Sequence, residues 1–221
     1  NTRASYPCHF IDNADEDGYI VSQPKNIVML TCDAFGVLPA VMKLSADEAV
    51  KQFLLGYTAK VAGTEKGVTE PKATFSPCFG GPFLTLHPLK YAELLKKKMQ
   101  KFNVPVYLVN TGWVGNSAKS GSSRFSLPLT RQILNSILNG HIDECEFEHD
   151  NYFGFQIPKT LGDIDPKLLN PLKAWKDIEE YHRSARELIQ KFQENQIDMN
   201  MLKNMIREIV IEEIEKKGLK K

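Results

Sequence analysis

The 221-residue sequence holds only four cysteines, Cys8, Cys32, Cys78 and Cys145, and no two stand in a C-x-x-C pair. That spacing argues against a zinc finger or a disulfide-stapled miniature fold, and the thiols read as buried and free in a reducing compartment. Histidine is equally sparse: His9, His87, His141, His149 and His182 form neither H-x-x-x-H nor H-E-x-x-H, so a complete metal site within these residues is not expected. Charge of one sign is lacking too. With 28 basic against 27 acidic residues the net charge is +1, which gives no global field toward nucleic acid or an anionic membrane, and any anion site must be local. No apolar run approaches the roughly 18 residues of a membrane span. The opening NTRASYPCHF has neither a basic n-region nor an apolar h-region. A cytoplasmic protein is the expectation, and the start on Asn1 suggests a piece of a longer chain.

What is present is a chain with 42% hydrophobic residues, enough for a sizeable core. Asn26–Cys32 is an apolar, β-favouring run that suits a strand buried on both faces, and Val104–Val109 is a second. Ser45-Ala46-Asp47-Glu48 has the form of a capping box for a helix that buries Ala49, Phe53 and Leu54 and stops at Gly56. Between Gly56 and Pro88, glycines and prolines break the pattern, leaving brief strands near Ala73–Phe75 and Phe83–Leu86. Pro88 opens a helix with an apolar stripe of Tyr91, Leu94, Leu95, Met99 and Phe102. Its Lys96, Lys97, Lys98 and Lys101 read as a solvated face, since no aromatics interleave with them. Thr130 is placed to cap a helix burying Ile133, Leu134, Ile137 and Leu138. Asn151 to Pro171 reads as irregular, with helices following over about 176–193 and 199–216. The alternation of strand, loop and helix indicates an α/β fold with mixed α+β character.

Chemistry is harder to find. The loop Gly115–Ser123, GNSAKSGSS, brings Lys119 among glycines whose amides can approach an anion. Yet no G-x-x-x-x-G-K-[ST] occurs anywhere, and such a loop alone is more often a surface connection. Arg124 follows that loop just before a helix, a position from which a guanidinium reaches a nucleotide; an ordinary surface ion pair is the competing reading. Arg3 carries the same planar fork. Ser76 lies in F-S-P-C, not in a G-x-S-x-G elbow, so a hydrolase has no support.

Six strings, however, stand in one order: NTRASYP from Asn1, DAFGVLP from Asp33, GYTAKVAGTEKGVTEP from Gly56, FSPCFGGPFLTLHP from Phe75, YLVNTGW from Tyr107 and RFSLPLTR from Arg124. Together they resemble the C-terminal part of the ATP-dependent phosphoenolpyruvate carboxykinases, over residues 1 to about 192. The resemblance implies part of a C-terminal P-loop-type mononucleotide-binding domain, a mixed sheet flanked by helices, over 1–193; the tail, 194–221, no longer resembles the family. It implies conversion of oxaloacetate and ATP to phosphoenolpyruvate, CO2 and ADP, with Mg2+ and Mn2+ as cofactors, in gluconeogenesis. Arg3 falls on the N-T-R motif whose arginine reaches the γ-phosphate and substrate. Arg124, Phe125 and Thr130 fall on the segment that lies against ATP.

The sequence departs from the family where Ser122-Ser123 replace glycines before the arginine, and where Pro128-Leu129 replace a lysine and a polar residue. The family's P-loop, its metal-binding lysine, histidine and aspartate, and its N-terminal domain precede the N-T-R motif and are absent from these residues. The expectation is therefore a piece that supplies one side of the ATP site, needs the missing N-terminal part of the same enzyme, and is inactive alone. A non-catalytic truncated or split fragment, binding at most a nucleotide or partner, is the alternative. The tail bears an amphipathic helix through Leu202, Met205, Ile206, Ile209, Val210 and Ile214, suited to docking on the parent domain or to self-association.

Overall fold

In the computed structural model, residues 5–12, 14, 22–61 and 67–196 are described. In chain order the strands are β1 (Ile27–Thr31), β2 (Val41–Leu44), β3 (Tyr57–Lys60), β4 (Lys72–Phe75), β5 (Val106–Asn110), β6 (Phe147–His149) and β7 (Gln156–Pro158). The helices are α1 (Ala46–Leu55), α2 (Pro88–Phe102), α3 (Leu127–Leu138), α4 (Pro166–Leu169) and α5, residues 178–196.

β5 organises the molecule because its VYLVN sequence is apolar on both faces and every residue of it is buried. Successive side chains alternate across a strand, so Val106 and Leu108 enter one core with Met29, Met42, Ala49, Met99 and Leu188, while Tyr107 and Val109 enter the other with Val41, Ile133, Ile137 and Leu169. Helices therefore cover both faces of a mixed five-stranded sheet of order β1-β5-β2-β7-β6. β1 runs parallel to β5, and β2 runs antiparallel to it. A separate hairpin pairs β3 with β4.

Helix ends follow local chemistry. Ser45 accepts the Glu48 amide while Glu48 reaches back to the Ser45 amide, completing the expected capping box, and Gly56 closes α1 in the left-handed region. α3 corrects the expectation. It begins at Leu127, capped by Ser126, whose backbone is extended (ψ 154°) and whose hydroxyl accepts the Leu129 amide; Thr130 lies inside the first turns. Pro128 is tolerated there because a first-turn amide has no intrahelical partner. Leu138, expected to face inward, is exposed, since Ile133 and Ile137 one turn apart define the buried face.

Four further expectations change. β1 is an edge strand in the described sheet and Leu30 is 55% exposed, so the run is not covered on both faces. Phe83–Leu86 forms no strand: Pro82 has no amide to donate, and the Phe83 and Leu84 amides are satisfied locally by Gly80 and Gly81 carbonyls. In α2 the buried positions are Ala92 and Met99, with Leu94 exposed. The stretch 151–171 is less irregular than expected, because β7 and α4 lie within it and β7 extends the main sheet. All four cysteines are free, but only Cys32 is buried, and Cys8 is exposed. α5 runs unbroken from 178 to 196. The expected tail helix beyond it lies outside the described residues, as does Arg3.

Candidate functional site

The parallel strands β1 and β5 end side by side, and in open α/β sheets ligands bind in the crevice beyond the carboxyl ends of such strands. Here the two exits are the Asp33-Ala34-Phe35-Gly36 turn after β1 and the Asn110-Thr111-Gly112-Trp113 turn after β5.

A buried polar clamp joins them. The Asn110 side chain accepts the Asp33 amide at 3.0 Å and the Gly112 amide at 2.8 Å, and donates to the Leu38 carbonyl at 2.9 Å. Asp33, fully buried, accepts four hydrogen bonds: Phe35 N and the Tyr57 hydroxyl on Oδ1, Val37 N and Leu38 N on Oδ2. Burial pushes its carboxyl above the ordinary range, and these four donors oppose that push. Burial together with the Asp33 charge raises the Tyr57 phenol as well. Gly112 is required by packing: a Cβ there would meet Asp33 N and O at 2.3 Å. Gly36, at φ +75°, would place a Cβ 2.1 Å from the Asn116 carbonyl oxygen. These contacts make the clamp a scaffold that fixes both turns and the loop after β5.

On this scaffold stands Arg124. Its Nε and Nη2 both donate to the Thr111 carbonyl, at 3.1 and 3.0 Å, and Nη2 also approaches the Cys32 sulfur at 3.7 Å. The guanidinium lies 5.2 Å from the Trp113 ring centre, a cation–π contact. No carboxylate among the described residues pairs with it. Nη1 donates to no acceptor among the described residues, so two of the five guanidinium donors stay available. The nearby Cys32 thiol is raised by burial, an effect the Arg124 charge partly offsets.

Phe125 follows immediately, its amide donating to the Gly112 carbonyl at 2.8 Å and its ring buried in the core under α3. Its side chain anchors the segment and is not presented to solvent. Thr130 is half-buried, and its hydroxyl donates to the Ser126 carbonyl at 3.2 Å. That leaves it lone pairs for an incoming donor. The structure thus sets Arg124, Phe125 and Thr130 along one segment leading into α3. The clamp itself lay in strings visible in the sequence, but nothing local in them signalled that Asp33 and Asn110 meet.

Among the described residues no three His, Cys, Asp or Glu side chains converge as metal ligands. No helix among them is long and apolar enough to cross a membrane.

Comparison with known proteins decides the family. A family model described as phosphoenolpyruvate carboxykinase matches residues 1–167. The chain belongs to the phosphoenolpyruvate carboxykinase family. It is 52% identical over 195 residues to the phosphoenolpyruvate carboxykinase (ATP) of Leptospira biflexa, covering 88% of this chain and 36% of that protein. The enzyme of the same name from Campylobacter jejuni subsp. doylei is 51% identical, with 88% and 37% covered, and phosphoenolpyruvate carboxykinase (ATP) 1 of Moorella thermoacetica is 49% identical at the same coverage. This carboxykinase chain therefore spans little more than a third of the length of these curated relatives.

Proposed function

We propose that these residues are the C-terminal portion of an ATP-dependent phosphoenolpyruvate carboxykinase, forming one wall of its nucleotide site. Residues 1–193 belong in this reading to a P-loop-type mononucleotide-binding domain, and 194–221 to a helical appendage. The observation that carries it is the Arg124 fork: held by Thr111 and Trp113 with no acid partner among the described residues, it keeps Nη1 for a ligand.

The reaction breaks the bond between C3 of oxaloacetate and its terminal carboxylate, releasing CO2 and leaving an enolate. The enolate oxygen then attacks the γ-phosphorus of ATP, and the β–γ bridging oxygen leaves with ADP. Charge on the transferring phosphoryl group is what fixed cations stabilise most. Arg3, on the N-T-R motif, supplies that cation beside the γ-phosphate. Arg124 binds and orients the nucleotide, Phe125 anchors the segment from beneath, and the Thr130 hydroxyl, its proton spent on Ser126, accepts a hydrogen bond from the base. Divalent metals in this family neutralise phosphate charge, and in this reading the Mg2+ and Mn2+ ligands lie on the part of the enzyme that precedes these residues. A non-catalytic fragment is the competing reading, favoured by no specific contact.

The test compares phosphoenolpyruvate formation from oxaloacetate and ATP, with Mg2+ and Mn2+, by the complete gene product and by the 221-residue polypeptide. The complete protein turns over and the shorter one does not. An inactive complete protein would contradict the assignment, and an active 221-residue chain would contradict the division of the site.

A further inference from the structure

Across the β3–β4 hairpin the register places Lys60 directly opposite Lys72. Directly opposed residues in an antiparallel pair share one face with Cβ atoms about 5 Å apart, and like charges there are destabilising. Both lysines line a cavity of about 490 Å3, and the third lysine lining it is Lys119, from the loop after β5. An adjoining cavity of about 300 Å3 shares Lys72 and Lys119 and adds Lys191 from α5. Among the described residues lining the two cavities, Lys60, Lys72, Lys119 and Lys191 stand with Glu70 and Glu187. Glu187 already pairs with Lys191 at 3.7 Å. Neither Lys72 nor Lys119 has a carboxylate within ion-pair distance among the described residues.

Rigid backbone holds these two cations in place. The Ala118 amide donates to the Ala34 carbonyl at 2.9 Å, tying the short turn that bears Lys119 to the exit of β1. Lys72 is set by the β3–β4 ladder. Preformed positions lower the ordering cost of binding. Ammonium groups are point charges with three rotatable donors, suited to the tetrahedral oxygens of phosphate, and the Ser117 and Ser184 residues that also line the cleft add short polar side chains. Cavities of about 300 and 490 Å3 suit a small ligand.

We propose that Lys72 and Lys119 form a binding site for a small multivalent phosphate anion, in the cleft between the β3–β4 hairpin, the loop after β5 and α5. The inference stands on the lysine positions and is independent of the Arg124 assignment. The probe is inorganic pyrophosphate, titrated calorimetrically into the 221-residue chain at low ionic strength, with sodium chloride at matched ionic strength as the blank. One pyrophosphate binds per chain, and affinity falls with added salt. Lys119→Ala and Lys72→Ala each weaken binding about tenfold, while Arg124→Ala leaves it unchanged. Because Lys119 is on an exposed turn, an unchanged melting midpoint of Lys119→Ala checks that its fold is intact, and pyrophosphate should raise the wild-type midpoint by linkage. Absence of both heat and midpoint shift overturns the proposal. So does binding that survives both lysine substitutions or is lost in Arg124→Ala alone.

Discussion

The Asn110 side chain holds the backbone of Asp33 across two adjacent strand ends, accepting its amide at 3.0 Å, while the Asp33 carboxylate caps its own turn with four hydrogen bonds. Every one of those four partners is a donor. Asp33→Asn places an amide NH2 against two of them, whichever way it is turned. The expected loss is about 3 kcal/mol, from buried donors left unpaired. Chemical denaturation of wild type and variant measures it, and a change within about 0.5 kcal/mol, the surface-substitution range, would refute the clamp.

Two glycines of the same region separate packing from backbone strain. Gly112→Ala drives a Cβ to 2.3 Å from Asp33 backbone atoms, whereas Gly121, at φ +73°, has open space around it. Gly121→Ala should cost only the left-handed penalty of about 1–2 kcal/mol. Gly112→Ala should cost clearly more and disturb the Arg124 segment. Equal midpoints in urea for the two variants would show that the close approach is not limiting.

Thiol reactivity follows from burial. Cys32 and Cys145 are raised by desolvation, and Cys78 is pushed up to about 11 by the same cause, so few of these thiols are ionised at neutral pH. Cys8 is exposed. Timed alkylation read by peptide mass spectrometry should label Cys8 first, and Cys32 labelled ahead of it would contradict the packing of the β1 exit.

Acid sensitivity has a definable contributor on the opposite face. Burial works against ionisation of Asp143, but the Lys43 ammonium at 2.6 Å and the Tyr107 hydroxyl hold its carboxyl below the ordinary range. A depressed folded-state value gives stability that is present above the unfolded value, near 3.9, and lost as pH falls through the folded one. Asp33 acts with the other sign: its raised value favours the fold at low pH and the benefit disappears as pH rises through it. Asp143→Asn should therefore flatten the stability–pH curve below about pH 4. An unaltered acid limb would remove this pair from the account.

The fold was legible where periodicity and capping chemistry are local. β5 could be read from an apolar, β-favouring run, and α1 from S-x-x-E with a terminal glycine. Failures came where a competing local bond or a distant partner decided. Ser126, not Thr130, caps α3, and Pro128 is accommodated in its first turn. The Phe83–Leu86 segment had strand composition but no amide at Pro82. Arg124 stands out in the sequence by its place between a glycine- and serine-rich loop and a helix, yet its grip on Thr111 and Trp113 depends on a fold-back that no spacing reveals. The lysine cleft was illegible for the same reason: Lys72 and Lys119 lie far apart in sequence and meet only through the hairpin and the loop after β5.

The central claim is that Arg124 serves the nucleotide of a carboxykinase, and kcat/KM for ATP in the complete enzyme carrying Arg124→Ala tests it most directly. The account predicts a fall of at least about tenfold, expressed mainly in KM for ATP, with Arg124→Lys failing to restore it because an ammonium cannot reproduce the fork. An unchanged kcat/KM for ATP in a correctly folded Arg124→Ala enzyme would contradict it.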